Sequence, residues 1–110
     1  MIEALQFVET GYLKLDGGAM FGVVPKTIWE KLNPPDNQNL CTWSMRCLLI
    51  STNDRKILVD TGMGDKQDVK FRSFFHPHGG SLDDALQNLE VSPEAITDVL
   101  LTHLHFDHCG

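Results

Sequence analysis

The sequence predicts an α+β domain in which strands dominate. Three observations carry this. Ile57-Leu58-Val59 and Val99-Leu100-Leu101 are continuous apolar runs with the length of strands buried on both faces. Leu82, Ala85, Leu86 and Leu89 follow i, i+3, i+4, i+7 spacing, the clearest amphipathic helix in the chain. Ligand-type side chains gather just past the second apolar run, at the strand edge where the sites of layered folds collect.

Taken in order, Ile2 to Val8 reads as a strand, with Tyr12 to Leu15 as its hairpin partner across Thr10-Gly11. Asp16 to Pro25 carries Gly17, Gly18 and Gly22 and reads as a loop with unusual backbone angles. Met20 and Phe21 lie inside it, either as anchors onto the core or as the lining of a substrate pocket. Lys26 to Leu32 predicts a short helix with Ile28, Trp29 and Leu32 on one side. A polar, proline-bearing loop follows over residues 33–39. Trp43 to Ser51 and Lys56 to Asp60 read as strands joined by a turn at Asn53-Asp54.

The second of these strands ends in Asp60-Thr61-Gly62. A carboxylate there needs backbone partners or a nearby cation, and one that orients a metal-binding histidine would satisfy the same need. Residues 65–80 read as a loop. His76 and His78 within it are not read as a metal pair, because a proline separates them and no carboxylate adjoins them. Phe74 and Phe75 are expected to pack a lid or a subunit contact, as in a homodimer of the full-length protein. Ser81 and Asp84 resemble a capping box opening the amphipathic helix. Ser92-Pro93-Glu94 starts one further helical turn through Ile96, and Thr97 to Thr102 is the last strand.

Composition narrows the function classes. The net charge is −6 with a pI near 5.1, and the nine Lys and Arg residues are scattered, which disfavours nucleic acid. No apolar run approaches the length of a membrane span, and the N-terminus lacks the pattern of a signal peptide. Cys41, Cys47 and Cys109 are odd in number and suit reduced thiols in a cytoplasmic protein. All three are expected to be packed residues, with Cys109 a small buried side chain rather than a ligand.

The last strand delivers Thr102-His103-Leu104-His105-Phe106-Asp107-His108, three imidazoles and a carboxylate within six residues. Imidazole and carboxylate are ligands for zinc and similar divalent ions. In an extended segment, side chains at i and i+2 point the same way, so His103 and His105 can grip one ion together. Asp107 and His108 lie where the chain turns and can face a second ion. Leu104 and Phe106 are expected to point into a core.

Together, Asp60-Thr61-Gly62 and His103-x-His105-x-Asp107-His108 resemble the first two motifs of the metallo-β-lactamase superfamily, in the right order. The segment from Gly17 to Lys26, with Gly18, Ala19, Met20, Phe21, Gly22, Val23, Val24 and Pro25, is similar to its quorum-quenching N-acyl-homoserine lactonase branch. The resemblance implies an αββα sandwich holding two divalent ions, zinc foremost, with iron, manganese and cobalt also suited to such donors. It implies a hydroxide bridging the ions that attacks a carbonyl, most naturally that of a small-molecule lactone or other ester. Asp107 would handle the proton, Asp60 would support the ligands from outside, and Met20 and Phe21 would line the substrate pocket. The family uses a further His, a bridging Asp and a final His, and none can be assigned before Gly110. Residues 1–110 are therefore expected to be the N-terminal half of one domain, binding metal weakly on their own. The alternatives are another hydrolase of the same fold, acting on a thioester, β-lactam or phosphodiester, or an inactive fragment.

Overall fold

A β-bulge where a hairpin was expected sets the shape of the N-terminal region. A computed structural model describes residues 1–110. In it Ile2–Asp16 is a single long strand, β1, antiparallel throughout to β2 (Leu40–Thr52). Glu9 pairs with Arg46 and Tyr12 with Ser44, so Thr10 and Gly11 together oppose Met45. The extra residue shifts the side-chain alternation by one. Val8 and Thr10 point into the core before the bulge, Leu13 after it. Gly11 has φ 122°, and a Cβ there would lie 2.7 Å from the carbonyl oxygen of His78. The glycine that suggested a hairpin turn instead serves the bulge.

Strand β3 (Lys56–Val59) pairs antiparallel with β2 across the expected turn, and β4 (Asp98–Leu100) pairs parallel with β3. The sheet order is β1-β2-β3-β4. A parallel neighbour requires a crossover, and residues 60–97 supply it. The crossover is less loop-like than expected, because Val69–Phe75 is a helix. Asp68 accepts a hydrogen bond from the Phe71 amide at its start, and His76 closes it in the left-handed region at φ 47°.

The glycine-rich stretch also holds a short helix, α1 (Gly17–Phe21), capped by the Asp16 carboxylate on the Ala19 amide. Helix α2 covers only Lys26–Trp29. Trp29 is buried against Gly17, whereas Ile28 and Leu32 are exposed, so the expected three-residue apolar side reduces to one residue. The Val69–Phe75 helix is α3 and Leu82–Asn88 is α4. Ser81 caps α4 on the Asp84 amide as expected, and Pro93–Ala95 forms a single 3-10 turn.

The core lies on one face of the sheet. Ala85 and Leu86 of α4 pack with Val91 on Val8, Cys47, Leu49 and Leu58. Beside them Leu13, Met45 and Met63 pack with Phe71, Phe75 and Phe106. The opposite face is apolar by register, with Leu5, Ile50 and Ile57 in one row and Phe7, Leu48, Val59 and Leu100 in the next. Leu5, Phe7 and Leu100 are exposed there. Helices on one face and an uncovered apolar face on the other are the layering of one α–β half of an αββα sandwich. The same layering corrects the expectation of strands buried on both faces. Ile57 and Val59 are only half-buried, and Val99, Leu100 and Leu101 are exposed, because nothing in residues 1–110 covers them. No helix is long and apolar enough to cross a membrane.

Cys41 and Cys47 are buried, as expected, while Cys109 is partly exposed. Burial, reinforced by the Asp60 charge, pushes the Cys47 thiol up to about 11. Burial also raises Cys41. Iodoacetamide near pH 8 followed by peptide mass spectrometry is expected to modify Cys109 in the native protein and to reach Cys41 and Cys47 only after denaturation. Equal labelling of all three would contradict the packing described.

Candidate metal centre

Asp60 stands at the C-terminal end of β3, and residues 103–108 follow the end of β4, its parallel neighbour. Parallel pairing therefore brings the two sequence motifs side by side. The Asp60 backbone, at φ 63°, adopts a left-handed conformation that aspartate tolerates better than most side chains. Its amide donates to the Leu100 carbonyl, which ties it to β4.

The Asp60 carboxylate is the hub of the site. Oδ1 accepts the Thr102 amide at 2.8 Å and the Thr102 hydroxyl at 3.0 Å. Oδ2 lies 2.9 Å from the same hydroxyl and 2.8 Å from Nδ1 of His108. Asp60 is 9% exposed. Burial alone would raise its carboxyl, but the Thr102 amide, the His108 ring and the Thr102 hydroxyl outweigh it and hold the group below the usual aspartate value.

Three imidazoles gather around this hub. The His103 ring centroid lies 4.1 Å from that of His108 and 4.7 Å from that of His105. Oδ2 of Asp107 is 3.4 Å from Nε2 of His108. His103 and His105 are exposed; Asp107 and His108 are half-buried. A turn over residues 106–108, closed by the His108 amide on the His105 carbonyl at 2.9 Å, swings Asp107 and His108 back toward His103. Phe106 anchors this turn in the core against Phe71 and Phe75. Leu104 does not join it and is 78% exposed, because residues 103–105 leave the sheet and no longer alternate across it.

The donor chemistry suits divalent ions. Asp60 occupies Nδ1 of His108, and Thr102 Oγ1 lies 3.0 Å from Nδ1 of His103, so any ligand would meet the Nε2 atoms, that of His108 beside the Asp107 carboxylate. The side chains have gathered without closing on a common point, and no three His, Cys, Asp or Glu groups are arranged to hold an ion. A cavity of about 40 Å³ lies between β2 and the motif, lined by Met45, Cys47, Asp60, Asp107 and His108 among others. That is room for a water or an ion.

Two clamps make contacts that the sequence did not show, although Thr61 and Gly62 belong to the Asp60-Thr61-Gly62 motif. Thr61 donates its amide to the His108 carbonyl at 3.0 Å, and its hydroxyl donates to the Gly110 carbonyl at 3.0 Å. Gly62 accepts the Gly110 amide at 2.9 Å; at φ 78°, a Cβ there would lie 2.5 Å from Thr10 Oγ1. Thr102 is the other, and only its position beside His103 hints at its part. Met20 and Phe21 sit in a separate aromatic corner. Phe21 stacks on Trp29 with centroids 4.9 Å apart, and Met20 is half exposed. The cavity beside Asp60 is lined by neither.

Comparison with known proteins gives this arrangement its relatives. The profile of the metallo-beta-lactamase superfamily matches residues 46–110, a stretch that holds β3, β4, Asp60 and all four ligand-type side chains. An N-acyl homoserine lactonase of Bacillus cereus is 28% identical over 120 residues, covering 99% of this chain and 44% of that protein. Among solved structures, a probable metal-dependent hydrolase from Staphylococcus aureus is 34% identical with a TM-score of 0.87, over 96% of this chain and 39% of that one. The dizinc quorum-quenching lactonase AidC, in complex with a product, is 29% identical with a TM-score of 0.68, over 94% and 34%. The chain thus spans less than half the length of the relatives it matches. With the profile covering more than half its residues, the chain belongs to the metallo-beta-lactamase superfamily.

Proposed function

We propose that the full-length protein carrying this chain is a metal-dependent hydrolase that opens lactone rings of the N-acyl-homoserine lactone type. The observation that carries this is the single carboxylate of Asp60, bonded to His108 directly and linked to His103 through Thr102, which turns the Nε2 atoms of both histidines away from Asp60, that of His108 toward the Asp107 carboxylate. The substrate class rests on the similarity to N-acyl homoserine lactonases along nearly the whole chain.

His103 and His105 would hold one ion and Asp107 and His108 a second. Two ions of this kind need about six protein contacts, so the remaining ligands would come from the additional length that the relatives have. The ions, zinc or the similar iron, manganese or cobalt, supply Lewis acidity toward a carbonyl and lower the pKa of water. Asp107 stands beside His108 Nε2 as the group to accept a proton and pass it to the leaving oxygen. Asp60 keeps the His108 ring from turning. Met20 offers an exposed apolar surface for an acyl chain, next in sequence to Phe21, which stacks on Trp29.

The higher structural similarity to the probable metal-dependent hydrolase keeps hydrolysis of another ester or a thioester as the second reading. Purified full-length protein assayed against N-acyl-homoserine lactones, aryl esters and acyl thioesters, with and without a chelator, separates the two. Chelator-sensitive lactone opening with the highest kcat/KM of the panel is expected. Good thioester or aryl-ester turnover with no lactone opening would transfer the assignment to the second reading.

A further inference from the structure

The Thr102 hydroxyl lies 2.9–3.0 Å from both Asp60 oxygens and 3.0 Å from Nδ1 of His103. It has one proton and two lone pairs. An ionised carboxylate only accepts, so the hydroxyl proton goes to Asp60. The contact to His103 then forms only if His103 Nδ1 carries a proton and donates it to the hydroxyl oxygen. Nε2 of His103 is then an unprotonated lone pair, the form a metal ligand requires. His108 Nδ1 faces Asp60 directly at 2.8 Å and must likewise carry the proton it donates there, while its Nε2 lies 3.4 Å from Asp107 Oδ2.

We infer that Thr102 is a positioning residue that fixes His103 in its Nδ1–H tautomer, so that Asp60 sets the tautomers of two histidines, one directly and one through a hydroxyl. This rests on the reading of His103 and His108 as metal ligands for its purpose but not for its first test. The Thr102 amide, donating to Asp60 Oδ1 at 2.8 Å, holds the backbone of residue 102 in place independently of its side chain. Thr102→Val therefore removes the relay and keeps an anchor. Thr102→Ser keeps both.

The test is long-range proton–nitrogen NMR of the metal-free, full-length protein, recorded where the histidine ring signals no longer change with rising pH. In the unmodified protein His103 and His108 are both expected as Nδ1–H. In Thr102→Val, His103 is expected to move toward the Nε2–H form favoured by free imidazole, while His108 stays. A merely structural role for Thr102 would disturb both rings together. Zinc affinity is expected to fall 10–100-fold in Thr102→Val and to return to within a few-fold of the unmodified protein in Thr102→Ser. An Nε2–H His103 in the unmodified protein overturns the inference without any variant, as does an unchanged His103 in folded Thr102→Val. The expected tautomers in a protein that binds no zinc would uphold the relay and defeat the metal reading instead.

Discussion

Asp60→Asn is expected to cost the protein most of its zinc affinity while leaving the fold in place. The substitution preserves size and tolerance of the left-handed backbone at φ 63°. The amide oxygen of asparagine can still accept from the Thr102 amide. The amide nitrogen must then replace Oδ2, the atom that receives His108 Nδ1–H at 2.8 Å. Two donors would face each other. His108 relieves the conflict by turning its Nδ1 into an acceptor, which places a proton on Nε2, the atom needed for the ion. Loss of such a support costs about 10–100-fold in metal affinity. Exchanging a charged acceptor for a neutral one costs about 1–2 kcal/mol of stability. Asp60→Ala removes every side-chain anchor and adds a penalty of about 1–2 kcal/mol for an ordinary residue in the left-handed region, so it is expected to damage fold and site together. Isothermal titration with zinc, paired with thermal unfolding of both variants, measures the separation. Unchanged zinc affinity in Asp60→Asn would show that the carboxylate does not support the ligands.

Leu49→Ala gives the largest expected loss of stability without touching the site. Leu49 is completely buried where β2 meets α4, among Val8, Cys47, Leu58, Ala85 and Leu86. Truncating such a leucine removes its transfer free energy and leaves a cavity, about 3–5 kcal/mol in all. That is a large share of the roughly 5–15 kcal/mol that holds a domain together. Leu104→Ala is the matching control. Leu104 alternates with the histidines in sequence as a core residue would, yet it is exposed, so the change is expected to stay within about 0.5 kcal/mol. Urea unfolding of the two variants beside the unmodified protein decides the matter. Comparable losses in both would mean that residues 103–105 pack differently from the arrangement described.

These two leucines show where the sequence was legible and where it was not. Periodicity located α4, because a single apolar stripe on a helix has one way to be buried. It misjudged β1, because Thr10-Gly11 carries the chemistry of a turn and only tertiary pairing with β2 makes it a bulge. It missed α3, whose Phe71 and Phe75 bury on Phe106, a residue far away in sequence. It also read Val99-Leu100-Leu101 as buried, because apolar content reports a need for cover and not whether residues 1–110 provide it.

At the candidate site the ligand-type side chains were visible from composition and spacing alone, because few other roles call for three imidazoles and a carboxylate so close together. That Asp60 meets a histidine of this cluster was legible once the histidines were seen. Thr102 was not, because a threonine ending a strand is ordinary, and its role comes from the parallel β3–β4 pairing that brings its hydroxyl to Asp60. Gly62 was visible as part of a motif, but the reason for a glycine there was not, because it is set by Thr10 on β1.

The most direct test of the metal-centre reading is the metal content of the purified full-length protein, compared with a variant in which His103 and His108 are both replaced by alanine. The expected result is retention of zinc or a similar divalent ion by the unmodified protein and its loss in the double variant, with the fold intact by circular dichroism. Equal metal content in the two proteins, or none in either after incubation with zinc, would contradict it.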